Sequence, residues 1–167
     1  RSLLVTGVQT CALPISTAQS DPGVLHLASA AEAKSTIESN FAAYLAELEQ
    51  CASVWEVKPA GSADGEAAWC ARQVAEHIAG AGPFFAAGIA NAIGVTPPAL
   101  SRPAFPDLAT GIAETKRSQA ALIEVVSQVQ DAQLTQEIEN PRLGKQPIAG
   151  ILGILAGHLA DHANQLK

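Results

Sequence analysis

The segment PIAGILGILAGHLADHANQLK, residues 147–167, decides the fold class. We read it as one helix that starts near Pro147 and runs to the last residue. Within it, HLADHANQL places His158 and His162 four residues apart, with Gln165 three further on. Residues at i and i+4 lie on one face of a helix, with Cβ atoms ~6 Å apart. Core packing has no need of two imidazoles on one face, whereas a metal ion does. The apolar run IAGILGILAGHLA is the nearest approach to a membrane span, but glycines and a histidine break it well short of bilayer length.

Upstream, three more helical stretches are expected. Helix one covers about residues 29–52: Ser29 followed by Glu32 is a capping-box signature, and Ile37, Phe41, Tyr44 or Leu45, and Leu48 recur at helical spacing. Residues 59–65 form a loop rich in Pro, Gly, Ser and Asp. Helix two covers about residues 66–93, with Gly94 as its stop. Gly80, Gly82 and Pro83 interrupt it, and a bend is expected one to two turns after His77. TPPALSRPAFP is a proline-rich loop leading to helix three, which runs from Pro106 or Asp107 to about Val129. Its apolar stripe of Leu108, Ile112, Leu122, Val126 and Val129 also contains Thr115 and Gln119. Two arrangements are compatible with that polar pair: a wet cavity inside the bundle, or a stripe that drifts and leaves both in solvent. A turn through Asn140, Pro141 and Gly144 precedes helix four.

The composition agrees with an all-α bundle, which we expect to be of the up-and-down type. Hydrophobic residues make up 48% of the 167, much of it alanine, and aromatics only 4%, which favours closely packed helices. The length suits one domain with a sizeable core. The net charge of −6 argues against nucleic-acid binding, which needs a basic patch. Neither a nucleic-acid nor a membrane partner is expected; a small-molecule substrate is. Cys51 and Cys70 fit no zinc-ribbon or CxxC spacing and read as free thiols of a cytoplasmic protein, with a disulfide between them as the alternative.

The second motif is WCARQVAEHI, which sets Trp69 eight residues before His77. Trp69, His77 and Ile78 on one helix, with His158, His162 and Gln165 on the last, resemble the DinB-like family of metalloenzymes over about residues 29–167. That resemblance implies a four-helix bundle, often dimeric, with a divalent metal on His77, His158 and His162. It also implies a thiol-dependent transferase or isomerase using bacillithiol, mycothiol or a glutathione-like thiol. The family often carries a basic or aromatic residue and a Gly between the last His and the Gln. Ala163 and Asn164 stand there instead, so no basic group is expected from that turn.

Three neutral imidazoles leave the ion's charge uncompensated, so it would polarise a bound oxygen or lower the pKa of a water or thiol. Zinc and nickel lead the expectation, with iron and manganese compatible. Gln165 and Asp161 are candidates to hold the ligands' second ring nitrogens, although Asp161 also reads as a solvated carboxylate. Glu76 reads as a surface charge, with a base beside His77 as the alternative. Phe84 reads either as core or as a wall of a pocket beside the metal. Arg72, Lys116, Arg117 and Arg142 are cations with no spacing that singles them out, and His26 reads as a surface residue. Two rival functions stand beside the transferase: a metal-dependent hydrolase, and a non-catalytic metal-binding dimerisation module. Finally, VTGVQTCALPI, residues 5–15, resembles a translated sequencing adapter. Residues 1–15, with Cys11, are therefore expected to be foreign to the fold, and 16–28 to be an extension of it.

Overall fold

The computed structural model describes residues 29–61, 65–141 and 143–167. The adapter-like stretch, the 16–28 extension, Cys11, His26 and Arg142 lie outside the described residues. The first backbone donors of a helix have no partner inside it, and here side chains supply two. Ser29 Oγ accepts from Glu32 N at 3.1 Å, and Asp131 Oδ1 accepts from Ala30 N at 2.8 Å. Helix α1 then runs over Ala30–Leu48, and a single 3-10 turn, Cys51–Val54, follows it. The expected extension to residue 52 is divided between these two elements.

Helix α2 is Ala71–Ile93. It starts five residues later than the sequence pattern suggests. Glu66–Ala68 is a separate 3-10 turn and Trp69 is extended, with ψ 138°. Tertiary partners set this start: Trp55 O accepts from Arg72 N at 2.9 Å, and Gln73 Oε1 accepts from Cys70 N at 3.2 Å. The helix continues through Pro83 without interruption. A proline has no N–H, so the carbonyl four residues back loses its helical donor. That carbonyl belongs to Ala79, and Ser118 Oγ of the facing helix donates to it at 2.7 Å. Gly94 closes α2 in the left-handed region at φ 78°.

Helix α3, Leu108–Val126, is capped by Asp107, whose carboxylate accepts from Thr110 N at 2.7 Å. That bond favours the charged form and holds the Asp107 carboxyl below its ordinary range. Between α3 and the last helix lies an antiparallel hairpin that the sequence reading missed, β1 (Glu137–Asn140) and β2 (Gly144–Pro147). Backbone bonds from Ile148 N to Gln136 O and from Ala149 N to Leu134 O hold this connection against the start of α4, Ile148–Gln165.

Helix α1 packs along α4 and α2 along α3, with lighter contacts between α1 and α3 and between α2 and α4. Around the bundle the order is therefore 1-4-2-3. This differs from an up-and-down bundle in which each helix neighbours the next. The 49–70 and 127–147 connections are long enough to cross the bundle diagonally. The core between the pairs is built from Ile37, Leu48, Val74, Ile89, Leu122, Ile151 and Leu152, all essentially inaccessible. Each such aliphatic side chain contributes ~1.5–3 kcal/mol on leaving water. Small residues permit the closest approaches: a Cβ on Gly111 would stand 2.7 Å from Trp55 Cη2. Among the described residues, no helix is long and apolar enough to cross a membrane.

Candidate metal centre

Because α2 and α4 are neighbours, their histidine faces meet. His77 comes from the second turn of α2; His158 and His162 come from consecutive turns of α4. Their ligand nitrogens all lie within 4.8 Å of one another. His158 Nε2 is 2.8 Å from His77 Nε2 and 3.1 Å from His162 Nε2. The rings stand edge-on to one another, with interplanar angles of 61–84°. The i, i+4 spacing on α4 and the adjacency of α2 produce this convergence together, and neither is sufficient alone.

Gln165 decides which nitrogen of His162 faces the cluster. Its amide Nε2 donates to Glu66 O, which leaves its Oε1 as the atom 2.7 Å from His162 Nδ1. A carboxamide oxygen only accepts, so Nδ1 carries the proton and Nε2 presents its lone pair to the other two rings. Trp69, extended just before α2, lies against the cluster. Its ring is 4.9 Å from His77 and stacks on His162 at 6.4 Å with 6° between planes. Trp69 thus forms a wall of the site.

Lone pairs facing each other at these distances repel unless a cation or a shared proton lies between them. A proton is disfavoured at His158, whose pKa falls to about 4 through burial first and then through His162 and His77. Neutral imidazole with a free Nε2 is the form a divalent metal requires. Nitrogens bound ~2.0–2.1 Å from one ion at angles near 90–110° stand ~2.8–3.4 Å apart, which the two spacings from His158 Nε2, 2.8 Å to His77 and 3.1 Å to His162, match. The donor set thus fits a divalent ion held by His77, His158 and His162. Among the described residues, no fourth His, Cys, Asp or Glu joins that group.

The other candidate residues are placed differently from one another. Asp161 is exposed, as its solvated reading requires. Glu76 is not a free surface charge: its side chain is only 19% exposed and accepts from Arg72 Nη1 at 2.8 Å and from Phe105 N at 3.0 Å. It ties the proline-rich loop to α2. Arg72 also meets Glu56, Lys116 meets Glu49, and Arg117 meets Glu114. Phe84 is neither core nor a wall beside the histidines. It is 37% exposed and borders a surface groove of about 190 Å³ with Phe85, Leu100 and Ile138. Thr115 and Gln119 are both buried, at 1% and 6% exposure, so the stripe does not drift into solvent. Cys51 and Cys70 are free thiols, and burial pushes the Cys51 thiol up.

A family model described as the DinB superfamily matches residues 26–166. No curated protein sequence matches the chain. A crystal structure described as TT2238, a four-helix bundle protein, is similar in fold, with TM-score 0.61 and 26% sequence identity. The match covers 81% of this chain and 95% of that one. With nearly all of the described chain inside the family match, and with the four-helix architecture shared, the protein belongs to the DinB superfamily.

Proposed function

We propose that this chain is a divalent-metal-dependent enzyme whose ion is held by Nε2 of His77, His158 and His162, with thiol-dependent group transfer as its chemistry. The observation that carries the metal reading is the convergence of three imidazole nitrogens from two helices, with Gln165 fixing the tautomer of one. An ion there would act as a Lewis acid, favouring the thiolate form of a low-molecular-weight thiol at neutral pH. The chain's own residues bind and orient. His77 and His158 are partly exposed while His162 is buried, so the cluster is approachable from one side. Trp69 lays an aromatic face against His77 and His162. Three protein ligands without a fourth among the described residues favour an open, catalytic type of site over a closed structural one.

Elemental analysis of the purified protein beside His158→Ala tests the centre. Near one zinc or nickel per chain, largely lost in the variant, is expected; unchanged stoichiometry in the variant would refute the ligand assignment. Substitution with cobalt then tests the chemistry. A thiolate-to-metal absorption band on adding a small thiol is expected, and its absence with every thiol tried would count against thiol transfer.

A further inference from the structure

Beside His158, residues of α2, α3 and α4 line a small chamber of about 10 Å³. Apolar groups such as Ile78, Leu122, Leu155 and Leu159 form most of its wall. Only two polar side chains border it, His158 from α4 and Gln119 from α3. Gln119 is 6% exposed, and its Nε2 is sealed from solvent with no hydrogen-bond partner. A buried amide donor left in that state costs ~1–3 kcal/mol, so a group placed there calls for a reason. His158 has the complementary need. Its hydrogen bonds run through Nε2 alone, toward His77 and His162. If Nε2 gives its lone pair to an ion, the proton must sit on Nδ1, and a ligand histidine almost always donates that N–H to an acceptor.

We propose that Gln119 is the positioning residue of His158, acting through one water held in this chamber. This rests on the metal reading above. The chamber has about the volume one water needs, and the two polar groups give it the minimum of partners. His158 Nδ1–H donates to the water. The Gln119 carboxamide meets the same water as a donor or, after a half-turn of its terminal torsion, as an acceptor. Gln119 thereby does for His158 what Gln165 does directly for His162: it holds the ring in the Nδ1–H tautomer and aims Nε2 at the cluster. The Cβ positions of the two ligands on α4 are set by the helix, but the rotation of each ring is not. Two glutamines from different parts of the chain supply that control.

The test uses the full chain, zinc as probe, and two variants. Gln119→Leu keeps the volume and removes both amide atoms; Gln119→Glu keeps the shape and an acceptor. Zinc affinity is measured by competition with a chromophoric chelator, and the His158 Nδ1–H proton is followed by NMR, assigned by its loss in His158→Ala. Gln119→Leu is expected to weaken zinc binding by ~10–100-fold and to lose the protected Nδ1–H signal. Its metal-free thermal midpoint should not fall, since an apolar group replaces an unpartnered amide. Gln119→Glu is expected to restore both readouts. A merely structural glutamine would move the thermal midpoint but neither the zinc affinity nor the proton signal. Zinc uptake by the wild type with unchanged affinity in Gln119→Leu would overturn the role of Gln119 alone. No zinc uptake by the wild type would overturn the centre itself.

Discussion

Ser118→Ala tests how α2 carries His77 past a proline. Ser118 Oγ is the donor to Ala79 O, at 2.7 Å, in the place of the N–H that Pro83 lacks. Ala79 is 3% exposed and lies two residues from His77. Removing the hydroxyl leaves a buried carbonyl without its partner, which costs ~1–3 kcal/mol. For a domain of this size each kcal/mol lowers the midpoint by ~2–4 °C, so a fall of roughly 2–12 °C is expected. The decisive comparison is a double-mutant cycle. Pro83→Ala returns an N–H that can bond Ala79 O within the helix, so the serine becomes redundant. Ser118→Ala should then cost under ~0.5 kcal/mol in the Pro83→Ala background, the range of substitutions that break no specific contact. Urea unfolding of the four proteins, metal-free, gives the coupling energy. Additive costs would show that Ser118 does not substitute for the missing donor, and the account of α2 would fail.

Two further outcomes are expected. Gln165→Leu should weaken zinc binding by ~10–100-fold by freeing His162 to rotate, with α4 still helical by circular dichroism; an unchanged affinity in chelator competition would remove Gln165 from the site. The metal-free protein should lose stability as pH falls from about 6.5 toward about 4. In that window the unfolded chain takes up a proton at His158 that the folded chain refuses, because burial and the two neighbouring imidazoles depress its pKa to about 4. Urea midpoints at pH 7 and pH 5 check the sign, and a higher midpoint at pH 5 would contradict it.

Much of the bundle is legible in local residues. Ser29, Asp107 and Gly94 mark helix ends through side-chain oxygens and a left-handed backbone, and each acts within a turn of its own position. His158, His162 and Gln165 are readable together because a single helix relates them. What was illegible depends on distant partners. The α2 start is set by Trp55 O, which no spacing near residue 70 announces. The hairpin is short and polar, with Ile138 as its buried apolar member of β1, so no alternation marks it. Glu76 resembles any helix-surface carboxylate until the loop amide of Phe105 closes on it. The 1-4-2-3 order has no local signature either, since crossing connections and neighbouring ones look alike in a linear string. Gln119 was suspect because it interrupts an apolar stripe, but only the chamber beside His158 shows what it faces.

The helix order has a kinetic consequence. The α2·α3 pair joins consecutive helices, so its contacts close a short loop. The α1·α4 pair brings residues 30–48 against 148–165 and closes nearly the whole chain. Loop-closure entropy makes the first pairing the early one and the second the late one. His77 belongs to the early pair, while His158 and His162 belong to the late one. The three ligands meet only when α4 docks beside α2, and loop closure predicts this docking on the native side of the main barrier. An ion captured there would leave the refolding rate nearly unchanged and slow the unfolding rate. It would lengthen the lifetime of the native bundle, and stopped-flow folding and unfolding arms recorded with and without zinc would separate those two effects.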